Sequence, residues 1–210
     1  MKKTEKKLHD FWDERYRQED FVYGEQPNEY LKKKLSNIPV GKALFPAEGE
    51  GRNAVFASEL GFIVSAFDQS EVGKKKAELL AKKKRIEINY IVSDVENVHY
   101  PENSFDVLVL IYAHFHTNHR RDYHRKLSSF LKKGGVLIME AFSKFQIKNQ
   151  QENPNSGGPK DINMLYDLEE IKLDFNEFEF KEVKESTIKL KEGNYHSGKA
   201  SVIRIIAIKK

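Results

Sequence analysis

"KALFPAEGEGRNAVFASELG", residues 42–61, decides how this chain folds. Residues 42–47 are a short apolar strand, and 53–60 place Ala54, Ala57 and Leu60 at helical spacing. Gly61 follows as a C-terminal cap signal. Gly49 and Gly51 therefore lie in a strand-to-helix turn. Residues without a Cβ let such a turn fold tightly and leave room for a ligand against the backbone. Glu48 and Glu50 lie in the same turn, and a pyrophosphate at the helix N-terminus would meet their like charge.

Working outward, "FIVSAFD" (62–68) is a buried strand closing on Asp68. Ser70 then caps a helix that runs to about Lys84. "IEINYIVSD" (86–94) alternates and is rich in β-branched residues, a third strand ending on Asp94. "SFDVLVLIY" (104–112) is apolar on both faces, the mark of a central parallel strand. Tyr123, Leu127, Phe130 and Leu131 give 118–131 a helical period, and "KKGGVLIMEAF" (132–142) is a glycine turn and another buried strand. Residues 143–163 show little period and read as a long loop, with a short helix at 165–175. "FEFKEVKESTIKL" and "KASVIRIIAIK" are two antiparallel strands joined across "KEGNYHSG". Strands alternating with helices predict an α/β, Rossmann-like doubly wound sheet, seven-stranded and mostly parallel, with an antiparallel C-terminal strand. The chain reads as one domain, with a helical N-terminal cap (1–40) packed on the carboxyl end of the sheet of a core (41–210).

Composition narrows the function. The 210 residues are 39% hydrophobic and 32% charged, which supports a packed core under a solvated surface. Cysteine is absent, which excludes disulfides, thiolate metal sites and cysteine nucleophiles and fits a reducing cytoplasm. No apolar run approaches the roughly 18 residues of a membrane span, and no apolar segment follows the basic N-terminus. The lysines at 74–76 and 82–84 read as the solvated face of a helix rather than a nucleic-acid surface, since no aromatics or arginines interleave them.

Three features select the ligand of the turn. Asp68 ends the second strand, where a carboxylate accepts ribose hydroxyls; Asp94 ends the third, beside the place of an adenine; and Glu48 and Glu50 disfavour phosphate. A ligand carrying a sulfonium and an ammonium satisfies all three, so the turn fits S-adenosylmethionine better than NAD. In family order, "WDERY" (12–16), "YGEQPN" (23–28), "AEGEGRNA" (47–54), "AFDQS" (66–70), "VSDVEN" (92–97), "FDVLVLIYAHF" (105–115), "LKKGGVLIMEAF" (131–142) and "GGP" (157–159) resemble class I S-adenosylmethionine-dependent methyltransferases of the tellurite-resistance and thiopurine-type branch. The resemblance implies a last strand that runs antiparallel between two parallel neighbours. It also implies cofactor contacts from Gly49, Gly51, Arg52 and Asn53 at the methionine moiety, Asp68 with Gln69 and Ser70 at the ribose, and Asp94 and Val95 at the adenine. Ile111 and Tyr112 would line the pocket, with Trp12 and Tyr23 closing over it. The family's first motif usually has an acid and then a glycine where Phe45 and Ala47 stand; the ammonium contact would then fall to Glu48 or a backbone carbonyl.

Methyl transfer needs alignment above all, and a base only when the acceptor must lose a proton. His114 and His116, in "IYAHFHTNHRRDYH" after the fourth strand, are the candidate bases, and Arg120 or Arg121 the candidate anion clamp. The spacing H-x-H-x-x-H lacks a second ligand cluster, so no metal site is expected. The Asn/Asp-Pro-Pro-aromatic motif of amino-group methylation is replaced by "YAHF", and no added domain grips a polymer. The expected acceptor is a small molecule: a thiol, a metalloid oxyanion or a compact aromatic. The expected protein is a cytoplasmic monomer or homodimer without nucleic-acid or membrane partners. The competing readings are an NAD-dependent oxidoreductase, a non-catalytic cofactor-binding module, and an RNA methyltransferase.

Overall fold

The computed structural model describes residues 10–210. A helix covers 10–16 (α1), and after an irregular stretch α2 (Glu29–Leu35) follows, capped by the Asn28 side chain, which accepts the Leu31 N–H. Gly24 and Pro27 account for the break, since neither sustains a helix interior. The expected helical cap is thus two short helices with an ordered irregular segment between them; residues 1–9 of that expectation lie outside the described residues.

The remaining elements are β1 (Lys42–Pro46), α3 (Arg52–Glu59), β2 (Ile63–Asp68), α4 (Glu71–Lys84), β3 (Asn89–Val92), β4 (Phe105–Ile111), α5 (Thr117–Phe130), β5 (Leu131–Phe142), α6 (Gln146–Glu152), α7 (Leu168–Asp174), β6 (Phe178–Glu192) and β7 (His196–Lys209). The seven strands lie in the order β3-β2-β1-β4-β5-β7-β6. The first five pair in parallel, and β7 lies between β5 and β6, antiparallel to both. Successive residues of a strand face opposite ways. On β1, Ala43 and Phe45 pack with α2, α3 and α4 through Leu31, Ala54 and Ala77, while Leu44 packs with α5 and α7 through Leu127 and Ile171. Helices on both faces are why β1 and β4 read as unbroken apolar runs.

Two expectations change. Residues 143–163 hold α6 and a 3-10 turn at Ile162–Met164 rather than a plain loop. No apolar period announced α6 because its inward face is amide: buried Gln146 donates to the Ser156 and Gly157 carbonyls, and buried Asn149 donates to Ser201 Oγ. The last hairpin is tighter than its sequence suggested, with strands reaching Glu192 and His196 around a turn at 193–195. Its tip meets the N-terminal segment: Asn194 N–H donates to Val22 O at 3.1 Å, and a Cβ on Gly193 would lie 2.2 Å from that oxygen. No described helix is long and apolar enough to cross a membrane.

Candidate active site

Strand order reverses between β1 and β4, and ligands of open α/β sheets bind at the carboxyl ends beside such a switch point. There the chain leaves β1 through three left-handed residues, Ala47 (φ 51°), Gly49 (φ 61°) and Gly51 (φ 83°). A Cβ on Gly51 would lie 2.5 Å from Ala77 Cβ, so glycine here lets α3 approach α4.

The acids of the turn are committed inward. Glu48 Oε1 accepts the N–H groups of Asn53 (2.9 Å) and Ala54 (2.7 Å), so a carboxylate of the chain itself fills the N-terminus of α3. Burial pushes its carboxyl up to about 7, against the pull of these amides and of Arg52. Its other oxygen takes no hydrogen bond from the described residues. Glu50 accepts Val22 N–H at 2.8 Å and pairs with Lys76 at 2.9 Å, which ties the N-terminal segment to the turn. Asp68 accepts Gly49 N–H (3.0 Å) and Ser70 N–H (2.9 Å). Burial raises it to about 6, with Asp13 adding to the rise, and no cationic side chain offsets this.

Around these lie the other expected contacts. Ser70 caps α4 by accepting Gly73 N–H and donates to Asp13 at 2.5 Å; Gln69 is half-exposed. Trp12 stacks on Tyr16 at 5.5 Å, and Tyr16 packs against Gly49, so the tryptophan stands one ring behind the turn. Asp94 is half-exposed and accepts Asn97 N–H at 2.7 Å. Val95, expected beside the adenine, and Ile111, expected to line the pocket, are both buried among core residues.

Beside the turn a second group converges that sequence reasoning missed. Asn28 Nδ2 donates to Glu140 (2.7 Å) and Glu192 (3.1 Å), and its N–H donates to Asn53 Oδ1 (2.9 Å). Arg52 pairs with Glu192 at 2.8 Å and donates to the Tyr23 carbonyl, while Tyr112 OH donates to Glu140 at 2.7 Å. Burial pushes the Glu192 carboxyl up, but Arg52 and His196 outweigh this and hold it at about 2. One signal was available: Glu140 is a lone acid inside the apolar run "VLIMEAF", and a charge placed there is seldom buried unless paired. His196, in what read as a mere connection, had none.

The residues expected to do chemistry each have partners within the fold. His114 Nδ1–H donates to Met164 O at 2.7 Å, and its Nε2 accepts Phe142 N–H at 3.1 Å, so both nitrogens serve the main chain. His116 caps α5 by accepting Asn118 N–H. Arg120 is buried against α7, paired with Asp174 (2.7 Å) and Glu170 (3.1 Å). Among the described residues no group of three or more acids or histidines is placed to hold a metal. A cavity of about 540 Å³ lined by Lys144, Phe145, Lys148, Ile162 and Lys199 opens beside α6 and shares no residue with the turn.

Burial pushes the His114 imidazole down to about 4, below its ordinary 6.5. Its stabilising effect is therefore present above pH 6.5 and lost as pH falls toward 4. His114→Ala, which orphans a buried carbonyl and amide, is expected to cost about 2–4 kcal/mol at pH 7 and to flatten the decline between pH 6.5 and 4. Urea unfolding at both pH values measures this; an unchanged acid slope would remove His114 from that role.

Residues 46–139 match the family described as a methyltransferase domain. Solved structures agree in fold. One, from work on conversion of a disulfide bond into a thioacetal group during echinomycin biosynthesis, has TM-score 0.78 at 16% identity, over 97% of this chain and 92% of that one. Magnesium protoporphyrin IX methyltransferase from Synechocystis PCC 6803, with bound SAH, has TM-score 0.71 at 14% identity, over 98% and 99%. TehB from Haemophilus influenzae has TM-score 0.70 at 19% identity, over 96% and 67%. No curated protein matches the chain. The matched span covers the turn, Asp68, Asp94 and the end of β4, while Asn28, Glu140, Glu192 and His196 lie outside it.

Proposed function

We propose that the chain is an S-adenosylmethionine-dependent methyltransferase acting on a small-molecule acceptor. One observation carries the reading: the turn presents buried carboxylates that no ligand phosphate could join. Glu48 already occupies the amides of α3 where a pyrophosphate would sit, and Asp68 has no cationic partner. A cationic ligand without phosphate supplies the missing charge. The residues present fit this group. Asp68 retains a lone pair on each oxygen for ribose hydroxyls. Glu48 Oε2 is free for the methionine ammonium, taking over from the family's acid, whose position is filled by fully buried Phe45. Gly49, Gly51, Arg52 and Asn53 shape the turn, and Gln69, Ser70 and Asp94 edge the neighbouring strand ends. When bound, the cofactor supplies a methyl group activated by its sulfonium.

Thiols, metalloid oxyanions and compact aromatics remain the acceptor classes, in line with the branch that the sequence resembles, and the absence of cysteine supports a cytoplasmic setting. Calorimetric titration with S-adenosylmethionine and NAD tests the reading. Heat with the first and none with the second is expected. Affinity should rise with pH through about 6 to 7, because a cation binds the ionised forms of Asp68 and Glu48. Tight NAD binding would end the reading.

A further inference from the structure

The cavity of about 540 Å³ beside α6 is lined from that helix, from the 3-10 turn and from both strands of the β6–β7 hairpin. Its lining is of two kinds. Phe145, Ile147 and Ile162 make it apolar, and Phe145 and Ile162 leave 69% and 51% of their surface in water. Lys144, Lys148 and Lys199 bring positive charge. Lys144 is held by Glu170 at 2.9 Å, but neither Lys148 nor Lys199 has an ion-pair partner among the described residues. In the hairpin Lys199 stands directly opposite Lys189, which is likewise unpaired among them. Like charges in that register repel, so this side of the cavity carries positive charge that the fold leaves uncompensated.

A buried donor completes the lining. Ser201 is only 9% exposed, and its Oγ accepts Asn149 Nδ2 at 3.0 Å. That direction is fixed along a chain of amides. Gln146 Nε2 donates to the Ser156 and Gly157 carbonyls, so Gln146 Oε1 is an acceptor, and it takes the Asn149 amide at 3.0 Å. The Ser201 O–H is therefore left to donate, and no acceptor for it lies among the described residues.

We propose that this cavity binds a small carboxylate with an apolar body. Its head is taken by the Ser201 hydroxyl and the Lys148 and Lys199 ammonium groups, and its body lies on Phe145 and Ile162. The inference stands apart from the methyl-transfer reading, since the cavity shares no residue with the turn. An ammonium is a point charge on a flexible stem, so the two lysines close on a head group without the fork geometry that an arginine imposes. Their methylene stems extend the apolar wall. Glu185 lines the adjoining hollow of about 320 Å³ with Phe145, Thr187 and Ser201. Its charge keeps the head at the lysine end and favours a singly charged carboxylate over a phosphate dianion.

The test uses three probes on the whole chain: fluorescent 2-naphthoate, its uncharged counterpart 2-naphthalenemethanol, and acetate, which lacks the apolar body. Naphthoate is expected to bind saturably, the other two about tenfold more weakly or worse, and naphthoate affinity to fall as salt is raised. Lys148→Ala and Lys199→Ala in one chain should lower that affinity about tenfold or more, and Ser201→Ala alone should lower it about threefold or more. Both lysines are exposed, so the double variant should melt as wild type does and keep its S-adenosylmethionine heat. If Ser201→Ala fails to fold, the double lysine variant carries the test. No saturable naphthoate binding, equal affinity for the alcohol or acetate, or unchanged affinity in the double variant overturns the inference. Loss of S-adenosylmethionine heat in wild type overturns the methyltransferase reading and leaves this one standing.

Discussion

Arg204→Met is expected to lower unfolding free energy by about 3–5 kcal/mol, the cost of leaving a buried charge without its partner. The two residues face one another across the β5–β7 pair, and Arg204 Nε donates to Glu140 Oε2. Glu140 is fully buried, whereas Arg204 keeps part of its surface and lies over the Tyr30 ring at 4.8 Å. Methionine preserves most of that stem packing, so the loss reports charge rather than volume. Glu140→Gln in the same chain should recover at least half of the loss. A neutral amide still accepts from Tyr112 and Asn28 and strands no charge. Denaturant unfolding of the single and double variants measures both. A cost below about 1 kcal/mol for Arg204→Met would place the pair with solvent-compensated surface bridges.

Asp68→Ala is expected to weaken S-adenosylmethionine binding by about 1.5–3 kcal/mol, the scale of a lost charged hydrogen bond, or roughly 10- to 150-fold. The buried carboxyl sits at about 6, above its ordinary 3.8, so the unliganded fold is strained by its ionisation. The sign follows: this contribution to stability is intact below pH 3.8 and lost as pH rises through about 6, a penalty on the order of 3 kcal/mol at neutral pH. A cationic ligand relieves that penalty, and alanine removes it along with the ligand's partner. The unliganded variant should therefore melt close to wild type, since the lost acceptor for Gly49 and Ser70 offsets the removed charge. The rise in Tm on adding the cofactor should shrink or vanish. A folded Asp68→Ala protein with unchanged affinity would remove Asp68 from the site.

Much of the fold was legible because its signals are local. Ser70 announced α4, Gly61 ended α3, and the two-sided apolar run of β4 placed it inside the sheet. α6 was illegible because it buries amides, so hydrophobic period was silent. In the candidate site, Gly49, Gly51 and Asp68 could be picked out because a strand–turn–helix motif and an acid ending a buried strand carry meaning at short range. His114, His116 and Arg120 were chosen by the same logic, which could not say what they would be paired with. What occupied them, Met164, Asn118 and Asp174, belongs to packing that no window of sequence contains.

The sequence by itself determined the strand–helix alternation, the glycine turn and the acid at the end of β2, since each depends on residues within a few positions. Only the tertiary structure decided which charges meet. Arg52 lies 140 positions from Glu192 and Asn28 lies 112 from Glu140, and His196 gains its aromatic neighbours from the N-terminal segment, the residue after β4, and β5. The physical reason is range: backbone period is imposed by neighbours along the chain, whereas desolvation and ion pairing depend on whatever the closed sheet brings within a few ångströms.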